Sequence, residues 1–426
     1  MRSEYPSAWT AVVIFIATDI VIVGFWSVPL GHWSINEAGD YLHFYAPVAR
    51  NLLEGRGLVT SNGAVALDYP PGFPSILSVL FRFAQWTGTS DAVWLQGFTL
   101  GALGLTSSLL YWLAQGMVGN RRAVLTATLW ITCPFQLWVS KQPNSEIAFL
   151  PLLYGAFVAY VWLLKRDGLC KPFGCGVVCG LATLVRPIAL FLPIVFAIGL
   201  FLTKSISRTR LFGYSALIVS GFALVILPWE LWARARTGTV ILVSASLPRA
   251  IVDGLTFAVG RRDFRATIEI PTGVRTIMED VAERSRRGEL NQLSAVFSLI
   301  RDKFLENPLS MSHLLAWKAT RAWYGTDAIR PIEKYALIVQ VCYLALTLAG
   351  AYTLLREPGF GRQWIIVVGL IVLYFWAMTT IVLSIVRYMT PAMGLLFPSA
   401  AAALEKVGER VYVAARRRSP PERSHT

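Results

Sequence analysis

The chain has 426 residues, of which 55% are hydrophobic and only 15% are charged, and its mean hydropathy is +0.54. A soluble protein would carry about 25% charged residues, so the composition excludes an ordinary soluble domain and indicates an all-α polytopic membrane protein. The net charge of +14 falls largely in short loops and a basic tail, as the positive-inside rule describes. We therefore expect membrane lipids, and no nucleic acid, as partners.

The first predicted span runs from Trp9 to Leu30. A cleaved signal peptide is the alternative, because Arg2 precedes the apolar stretch. The stretch is long for a signal peptide and has no small-x-small cleavage site. We therefore expect an uncleaved anchor whose N-terminus lies inside.

A polar segment follows directly, and residues 31–72 form the first predicted outer loop. Asp40 precedes a run in which apolar residues recur at helical spacing, and Gly55 and Gly57 end that run. This pattern predicts an amphipathic helix in the membrane interface. A Tyr-Pro-Pro-Gly-Phe-Pro turn closes the loop at Tyr69–Pro74. The other candidate site residues of this loop are Glu37, His43, Tyr45 and Asp68.

The next apolar segment, Phe73 to Trp86, is short and contains Arg82, so we expect a short helix packed against the bundle. Residues 172–202 are too long for one ordinary span, and Arg186-Pro187 should divide them into two short helices. The other predicted spans are 92–117, 123–138, a span ending near Leu164, 211–227, 335–355, 364–383 and 388–404.

Residues 228–334 are mostly polar, with amphipathic segments such as Leu293–Leu305, and could form a small α-rich region outside the membrane. The predicted divisions are a transmembrane module (1–228), an extracytoplasmic region (229–334), C-terminal spans (335–404) and a basic cytoplasmic tail (405–426). We expect the tail to be disordered.

Short basic turns fix the predicted topology, because such turns stay inside. Alternation of about ten to twelve spans then places the first loop and residues 228–334 outside. The outer face collects the carboxylates of Asp40 and Glu146 and the cations of Arg186, Arg234 and Arg387. Ionisable residues at span ends are costly without partners or a function. The alternative for any single arginine is that it reaches a lipid headgroup.

This set of residues suits one chemistry. A carboxylate at the interface can accept a proton from an incoming hydroxyl, and an arginine can hold a lipid phosphate as the leaving group. Asp40 could instead be an ordinary N-cap of the loop helix.

The order of these motifs resembles the GT-C superfamily of membrane glycosyltransferases, in the branch of the protein O-mannosyltransferases, lipid A aminoarabinose transferase and the Rgt-type transferases. The matching residues are Asp40, Tyr45, Ala49, Leu52, Gly55, Gly57, Tyr69–Pro74, Asn144–Glu146, Gly180–Pro187, Pro228-Trp229 and Arg387-Tyr388 with Pro391. Two departures stand out. The branch often doubles its first acid as Asp-Glu, so Glu37 could be the equivalent of Asp40, and the chain lacks a large C-terminal soluble domain.

The resemblance implies an inverting transfer of a sugar from a polyprenyl-phosphate donor to a hydroxyl acceptor outside the plasma membrane. By this resemblance Asp40 is the base, with Glu37 and Glu146 as alternatives. The candidate contacts to the donor phosphate are Arg387, Arg186, Arg234 and Tyr388. Some relatives use a divalent metal at the loop acids, so a metal is possible here. A transporter or flippase of lipid-linked sugars and a non-enzymatic scaffold are the competing functions.

Overall fold

A computed structural model of the chain describes residues 7–165, 168–203, 207–257, 270–326, 330–357 and 361–418. The first half of this part contains α1 (Ala8–Trp26), a π-helix (Tyr41–Tyr45) continuous with α2 (Ala46–Leu53), α3 (Gly72–Thr87), α4 (Asp91–Val118), α5 (Asn120–Ile131), α6 (Pro134–Val139), α7 (Ser145–Lys165), α8 (Cys170–Val185) and α9 (Leu192–Thr203). The second half contains α10 (Arg208–Thr237), α11 (Leu247–Leu255), α12 (Thr272–Arg286), α13 (Leu293–Glu306), α14 (Pro308–Arg321), α15 (Glu333–Arg356), α16 (Gly361–Ile381), α17 (Val386–Met393) and α18 (Phe397–Arg418).

Six helices are long and apolar enough to cross a membrane, namely α1, α4, α7, α10, α15 and α16. Cys170–Val185 and Pro187–Thr203 are shorter apolar helical segments. The protein is therefore an all-α multi-pass membrane protein, as its composition predicted. Of the ten spans proposed from the sequence, six are continuous long helices, and the others are shorter or interrupted.

The predicted span 123–138 is wrong as a single helix, because α5 ends at Ile131 and α6 begins at Pro134. Cys133 between them is extended, with φ −66° and ψ 118°. A proline has no N–H to donate and disfavours helical geometry in the residue before it, which explains the break.

The predicted span 388–404 is interrupted as well. α17 ends at Met393, and α18 begins at Phe397 with Pro398 in its first turn, where a proline is tolerated. In the gap, a Cβ on Gly394 would lie 2.0 Å from the Tyr154 hydroxyl oxygen. Close packing of the chain on α7 therefore requires a glycine at this break.

The predicted end of a span at Leu227 is also wrong, because α10 continues through Pro228 to Thr237. Contacts from outside the helix hold these extra turns. Trp229 Nε1 donates to the Val243 carbonyl at 3.1 Å, and Glu230 Oε1 accepts from the Val243 N–H at 2.6 Å. Bonds of this kind stabilise a helix that a proline would otherwise weaken.

The prediction of a disordered tail is wrong for residues 405–418, because α18 continues to Arg418, and residues 419–426 lie outside the described part. A Cβ on Gly350 would lie 1.6 Å from the Ser399 carbonyl oxygen, so α18 packs directly on the α15 backbone. Glu405 accepts from Arg122 Nε at 2.5 Å. These contacts anchor the helix beyond its apolar half.

Three local predictions are confirmed. α3 has 16 residues, which rise about 24 Å and fall short of the roughly 30 Å hydrocarbon core. Arg186 separates α8 from the 3₁₀ turn Pro187–Ala189 with an extended backbone, φ −143° and ψ 125°. The amphipathic segment from Leu293 is α13.

Helices α11 to α14 surround an apolar cluster of their own, formed mainly by Ile251, Val252, Leu255, Val274, Ile277, Met278, Val281, Val296, Leu299, Met311 and Leu314. The predicted bounds of the extracytoplasmic region remain a prediction. Two buried residues of α14, Lys318 and Arg321, are polar. Lys318 Nζ donates to the Ile381 and Val382 carbonyls at 3.2 and 3.3 Å.

Lys318 gives the first testable prediction. Burial lowers the pKa of Lys318 from its ordinary 10.5 to about 7. Between about pH 7 and 10.5 the unfolded chain therefore holds a proton that the folded chain has lost, so stability should rise with pH in this window. The variant Lys318→Met should lack that part of the rise. Thermal midpoints in detergent at pH 7 and pH 9 measure it, and an identical pH dependence in both proteins would contradict it.

Candidate active site

The centre of the candidate site is Glu146, in the first turn of α7, which is 2% exposed. One of its oxygens, Oε1, lies 2.6 Å from Arg186 Nη1 and 2.9 Å from Arg387 Nε. The two arginines come from distant parts of the chain, the break after α8 and the start of α17. The structure thus brings together three of the residues singled out in the sequence.

The charges of this centre do not cancel. The two guanidinium groups carry one positive charge each and the carboxylate carries one negative charge, so the net charge is +1. Burial of the Glu146 charge is tolerable because it is paired on both sides. The sequence has no lysine or arginine other than Arg387 between Arg362 and Lys406, but the fold places Arg186 on the same Glu146 oxygen as Arg387.

The first loop (residues 31–72) joins this centre through Tyr45, which is 4% exposed. Its hydroxyl donates to Ser145 Oγ at 3.3 Å, and Arg186 Nη1 donates to the same oxygen at 3.2 Å. The Tyr45 ring packs on Tyr69 and Phe73, with centroids 5.0 and 4.9 Å away. The turn at Tyr69–Pro74 and the loop helix therefore form one aromatic wall beside the arginines.

Asp40 lies at the outer end of this wall with an exposed side chain. The Tyr69 hydroxyl donates to Asp40 Oδ1 at 3.3 Å. Asp40 makes no capping bond to the helix that follows, so the N-cap alternative is wrong. Burial, followed by the charge of Asp40, raises the pKa of Tyr69 above its ordinary value of 10.0. Tyr69 therefore stays protonated and remains a donor to the carboxylate.

A second aromatic ring faces the arginines from α17. The guanidinium carbon of Arg186 lies 4.9 Å from the Tyr388 ring centroid, and that of Arg387 lies 5.7 Å from it. Cations bind favourably over tyrosine rings at such distances. Tyr388 thus contacts both guanidinium groups that share the Glu146 oxygen.

The other sequence candidates lie elsewhere. Glu37 pairs with Lys141 Nζ at 2.7 Å and lies 3.6 Å from His32 Nε2. Arg234 is exposed in the last turn of α10, and no contact joins it to Glu146. His43 and Asp68 have exposed side chains on the first loop.

The described residues contain no group of three histidine, cysteine, aspartate or glutamate side chains placed to hold a metal ion. The first loop therefore does not form a complete protein-only metal site in the described part. We derive no step through a metal.

Sequence reasoning missed the segment that follows α10. Ser244 Oγ donates to the Asp68 carbonyl at 2.6 Å, and Ala245 N–H donates to the Leu67 carbonyl at 2.8 Å. Leu242 and Val243 just before it adopt left-handed backbone angles, with φ of 46° and 75°. Such angles are costly for a β-branched residue and often mark functional segments. No motif in residues 228–334 signals this turn.

The same segment places Arg249 near the site. Arg249 lies in the first turn of α11 with an exposed side chain. Its positive charge is near enough to the Tyr69 hydroxyl to act on its pKa, although burial and Asp40 outweigh this effect. Arg249 is thus a further cation beside the Asp40 end of the wall.

A groove of about 540 Å³ runs along α2 and is lined by Tyr41, the residue after Asp40. Its charged side chains are matched in pairs, since Arg50 Nη2 lies 2.6 Å from Asp91 Oδ2 and Arg56 pairs with Glu54. The lining residues are Ile35, Tyr41, Leu42, Ala46, Pro47, Arg50, Asn51, Glu54, Arg56, Ser61 and Asp91. The groove is therefore close to neutral, with apolar residues among its lining.

No protein-family model matches the chain, and no curated protein matches it either. Solved structures do. One is the archaeal oligosaccharyltransferase AglB from Archaeoglobus fulgidus in complex with an inhibitory peptide and a dolichol-phosphate. It is 14% identical to this chain, and its TM-score is 0.53. The match covers 100% of this chain and 53% of the chain in that structure. A structure of the A. fulgidus enzyme tethered to an acceptor peptide is 13% identical to this chain, with a TM-score of 0.55. The match covers 96% of this chain and 51% of the chain in that structure.

ArnT from Cupriavidus metallidurans bound to undecaprenyl phosphate also matches, with 16% identity and a TM-score of 0.41. The match covers 98% of this chain and 82% of the ArnT chain. The fold assignment rests on the oligosaccharyltransferase structures. This chain shares the fold of these oligosaccharyltransferase structures, which is the GT-C-like membrane fold that its motifs predicted. It spans about half the length of the oligosaccharyltransferase structures that it matches.

Proposed function

We propose that this protein transfers a sugar from a polyprenyl-phosphate donor to a hydroxyl acceptor at the outer face of the plasma membrane. The observation that carries the proposal is the continuous wall of side chains from an exposed carboxylate to a half-buried arginine pair. The wall runs from Asp40 through Tyr69, Tyr45 and Ser145 to Arg186. It supplies a base at one end and a net positive charge at the other.

The arginine end suits the leaving group. As the bond between the sugar and the phosphate breaks, negative charge grows on the phosphate oxygens, and fixed cations stabilise it. A guanidinium has five N–H donors, so Arg387 can form its ion pair with Glu146 on the Nε side and still contact a phosphate oxygen. Glu146 then serves to hold the two arginines, because a carboxylate buried between them is poorly placed to take a proton from an acceptor.

The carboxylate end suits the acceptor. Asp40 takes the proton of the acceptor hydroxyl while the hydroxyl oxygen forms a bond to the anomeric carbon of the sugar. The anomeric carbon–phosphate bond breaks in the same step, and the electron pair leaves with the polyprenyl phosphate. With the base and the arginines at opposite ends of the wall, attack and departure occur on opposite faces of the sugar, so the configuration inverts. The neutral groove along α2 adjoins Asp40 and could receive the acceptor.

The comparisons support the proposal at the level of fold. A GT-C fold is compatible with such a transfer, and the AglB structure contains a dolichol-phosphate. Donor, acceptor and stereochemistry for this chain belong to the proposal. A flippase of lipid-linked sugars is the alternative, but the charged candidates cluster at one end of the bundle, and a flippase needs polar groups along a path through it.

Reconstitution separates these two functions. Purified protein is placed in liposomes whose two leaflets contain a polyprenyl-phosphate donor with a labelled sugar, and an extract of membrane acceptors is added. Transferase activity should convert the donor to free polyprenyl phosphate, whereas a flippase would leave it intact and change only its leaflet. Movement of intact donor without cleavage would replace the proposal with the transporter function.

The outer placement of the first loop gives a second testable prediction. Ser61 is exposed and lies in that loop. In intact cells, Ser61→Cys should react with a membrane-impermeant maleimide, whereas the control Arg121→Cys, in a turn that charge places inside, should react only after permeabilisation. Protection of the cysteine at 61 would place the site on the cytoplasmic side.

A further inference from the structure

A second buried ion pair lies close to the start of α17. Arg321 at the end of α14 and Glu333 at the start of α15 have side chains that are 1% and 6% exposed. Arg321 Nη2 lies 2.7 Å from Glu333 Oε1. The mechanism proposed above makes no use of this pair.

Both members of the pair bind the backbone of neighbouring loops. Glu333 Oε1 accepts from the N–H and the hydroxyl of Thr326 at 2.7 and 2.9 Å. Arg321 Nη2 donates to the Thr326 carbonyl at 2.7 Å, and Nη1 donates to the Ser384 carbonyl at 3.2 Å. The pair thus ties the loop after α14 to the connection between α16 and α17.

These two loops also bind each other directly. The Val386 N–H donates to the Gly325 carbonyl at 2.8 Å. A Cβ on Gly325 would lie 2.6 Å from Arg321 Cγ and 2.8 Å from the Ser384 carbonyl oxygen. The approach therefore requires a residue without a side chain at this position.

The anchored segment leads into the candidate site. Val386 is the first residue of α17, and Arg387 is the second. Ile385 before them is extended, and its side chain makes no capping bond. Lys318 holds the other end of the connection through the Ile381 and Val382 carbonyls. The position from which the Arg387 side chain reaches Glu146 is therefore set by hydrogen bonds to this connection.

We infer that Arg321 and Glu333 are positioning residues for Arg387, which they hold in place for a phosphate ligand through the backbone of residues 384–386. Buried ion pairs are weak evidence for stability, because desolvation offsets much of their attraction. Arg321 and Glu333 also form hydrogen bonds to Thr326 and Ser384, and an apolar pair of the same size could not form them. The inference rests on the proposed function, because Arg387 is assigned there to the donor phosphate.

The test uses full-length protein and undecaprenyl phosphate as the probe. In the double variant Arg321→Met/Glu333→Leu, apolar side chains replace the whole pair, a change that often leaves stability unaltered. We expect an unchanged thermal midpoint, faster amide hydrogen exchange at Val386 and an apparent Kd for undecaprenyl phosphate raised about tenfold. The control is Arg122→Met/Glu357→Leu, which removes an ion pair distant in the chain together with the contact of Arg122 to Glu405.

Each outcome decides the inference. Wild-type affinity in the double variant would overturn it, whether or not exchange at Val386 is faster. A role in stability alone would lower the thermal midpoint without changing the affinity of the folded protein. Should the double variant not fold, Glu333→Gln and its control Glu357→Gln answer the same question with side chains of equal size. Absence of undecaprenyl phosphate binding in the wild type would instead contradict the proposed function, while exchange at Val386 would still report on the contact.

Discussion

Replacing Asp40 with asparagine should reduce sugar transfer by about 10²- to 10⁴-fold, the usual contribution of a general base. The amide oxygen of asparagine can still accept from Tyr69, so the contact at Asp40 Oδ1 is preserved. The variant should fold, bind undecaprenyl phosphate like the wild type and fail only at the chemical step. Rates of polyprenyl phosphate release at saturating donor measure the effect.

Asp68→Asn is the matched control, because Asp68 is also an exposed carboxylate of the first loop and its side chain does not contact Tyr69 in the described structure. Its transfer rate should remain close to that of the wild type. Near-normal transfer by Asp40→Asn would remove Asp40 from the mechanism and make Glu37 the candidate base of the loop.

The variant Arg387→Ala should lose most of its affinity for the donor phosphate. Removing one partner from a buried charged contact costs about 2–5 kcal/mol, which corresponds to a roughly 30- to 3,000-fold weaker Kd. The protein should still fold, because Glu146 keeps its 2.6 Å contact with Arg186. Titration with undecaprenyl phosphate measures the affinity directly.

Arg234→Ala provides the control for this experiment. The sequence placed Arg234 among the phosphate contacts, but the structure leaves it exposed at the end of α10, without a contact to Glu146. Its removal should leave the affinity unchanged. If Arg234→Ala weakens binding and Arg387→Ala does not, the phosphate site lies at α10 rather than at the Glu146 centre.

Much of the candidate site could be predicted from the sequence because topology alone brings span ends to one face. Glu146, Arg186 and Arg387 all lie at such ends, and the charge of the turns placed all three outside. The aromatic wall follows from helical spacing in the loop, which put Tyr45 on its buried face. These are local or one-dimensional patterns, and the sequence displays them.

The breaks within helices could not be predicted as reliably, because a proline interrupts the helix at some positions of this chain and not at others. Pro151 and Pro228 lie inside continuous helices, whereas Pro134 follows a break. A proline removes one hydrogen bond in each case, and contacts from other helices decide whether the helix continues. Such contacts are not visible along the chain.

The placement of Arg249 and of the Arg321–Glu333 pair could not be predicted from the sequence either, for a related reason. Both depend on loops that approach residues far away in sequence, such as Ser244 on Asp68 and Arg321 on Ser384. Residues 228–334 contain many arginines, and nothing in their spacing distinguishes these two. Only the fold shows which of them reach the site.

The most direct test of the account is the release of polyprenyl phosphate by purified protein incubated with a panel of polyprenyl-phosphate sugars and an extract of membrane acceptors. The account predicts that at least one donor yields free polyprenyl phosphate together with an equal amount of glycosylated acceptor. It also predicts that Asp40→Asn abolishes both products while still binding the lipid phosphate. Release that is equally fast in Asp40→Asn, or no release from any donor that the protein binds, would contradict it.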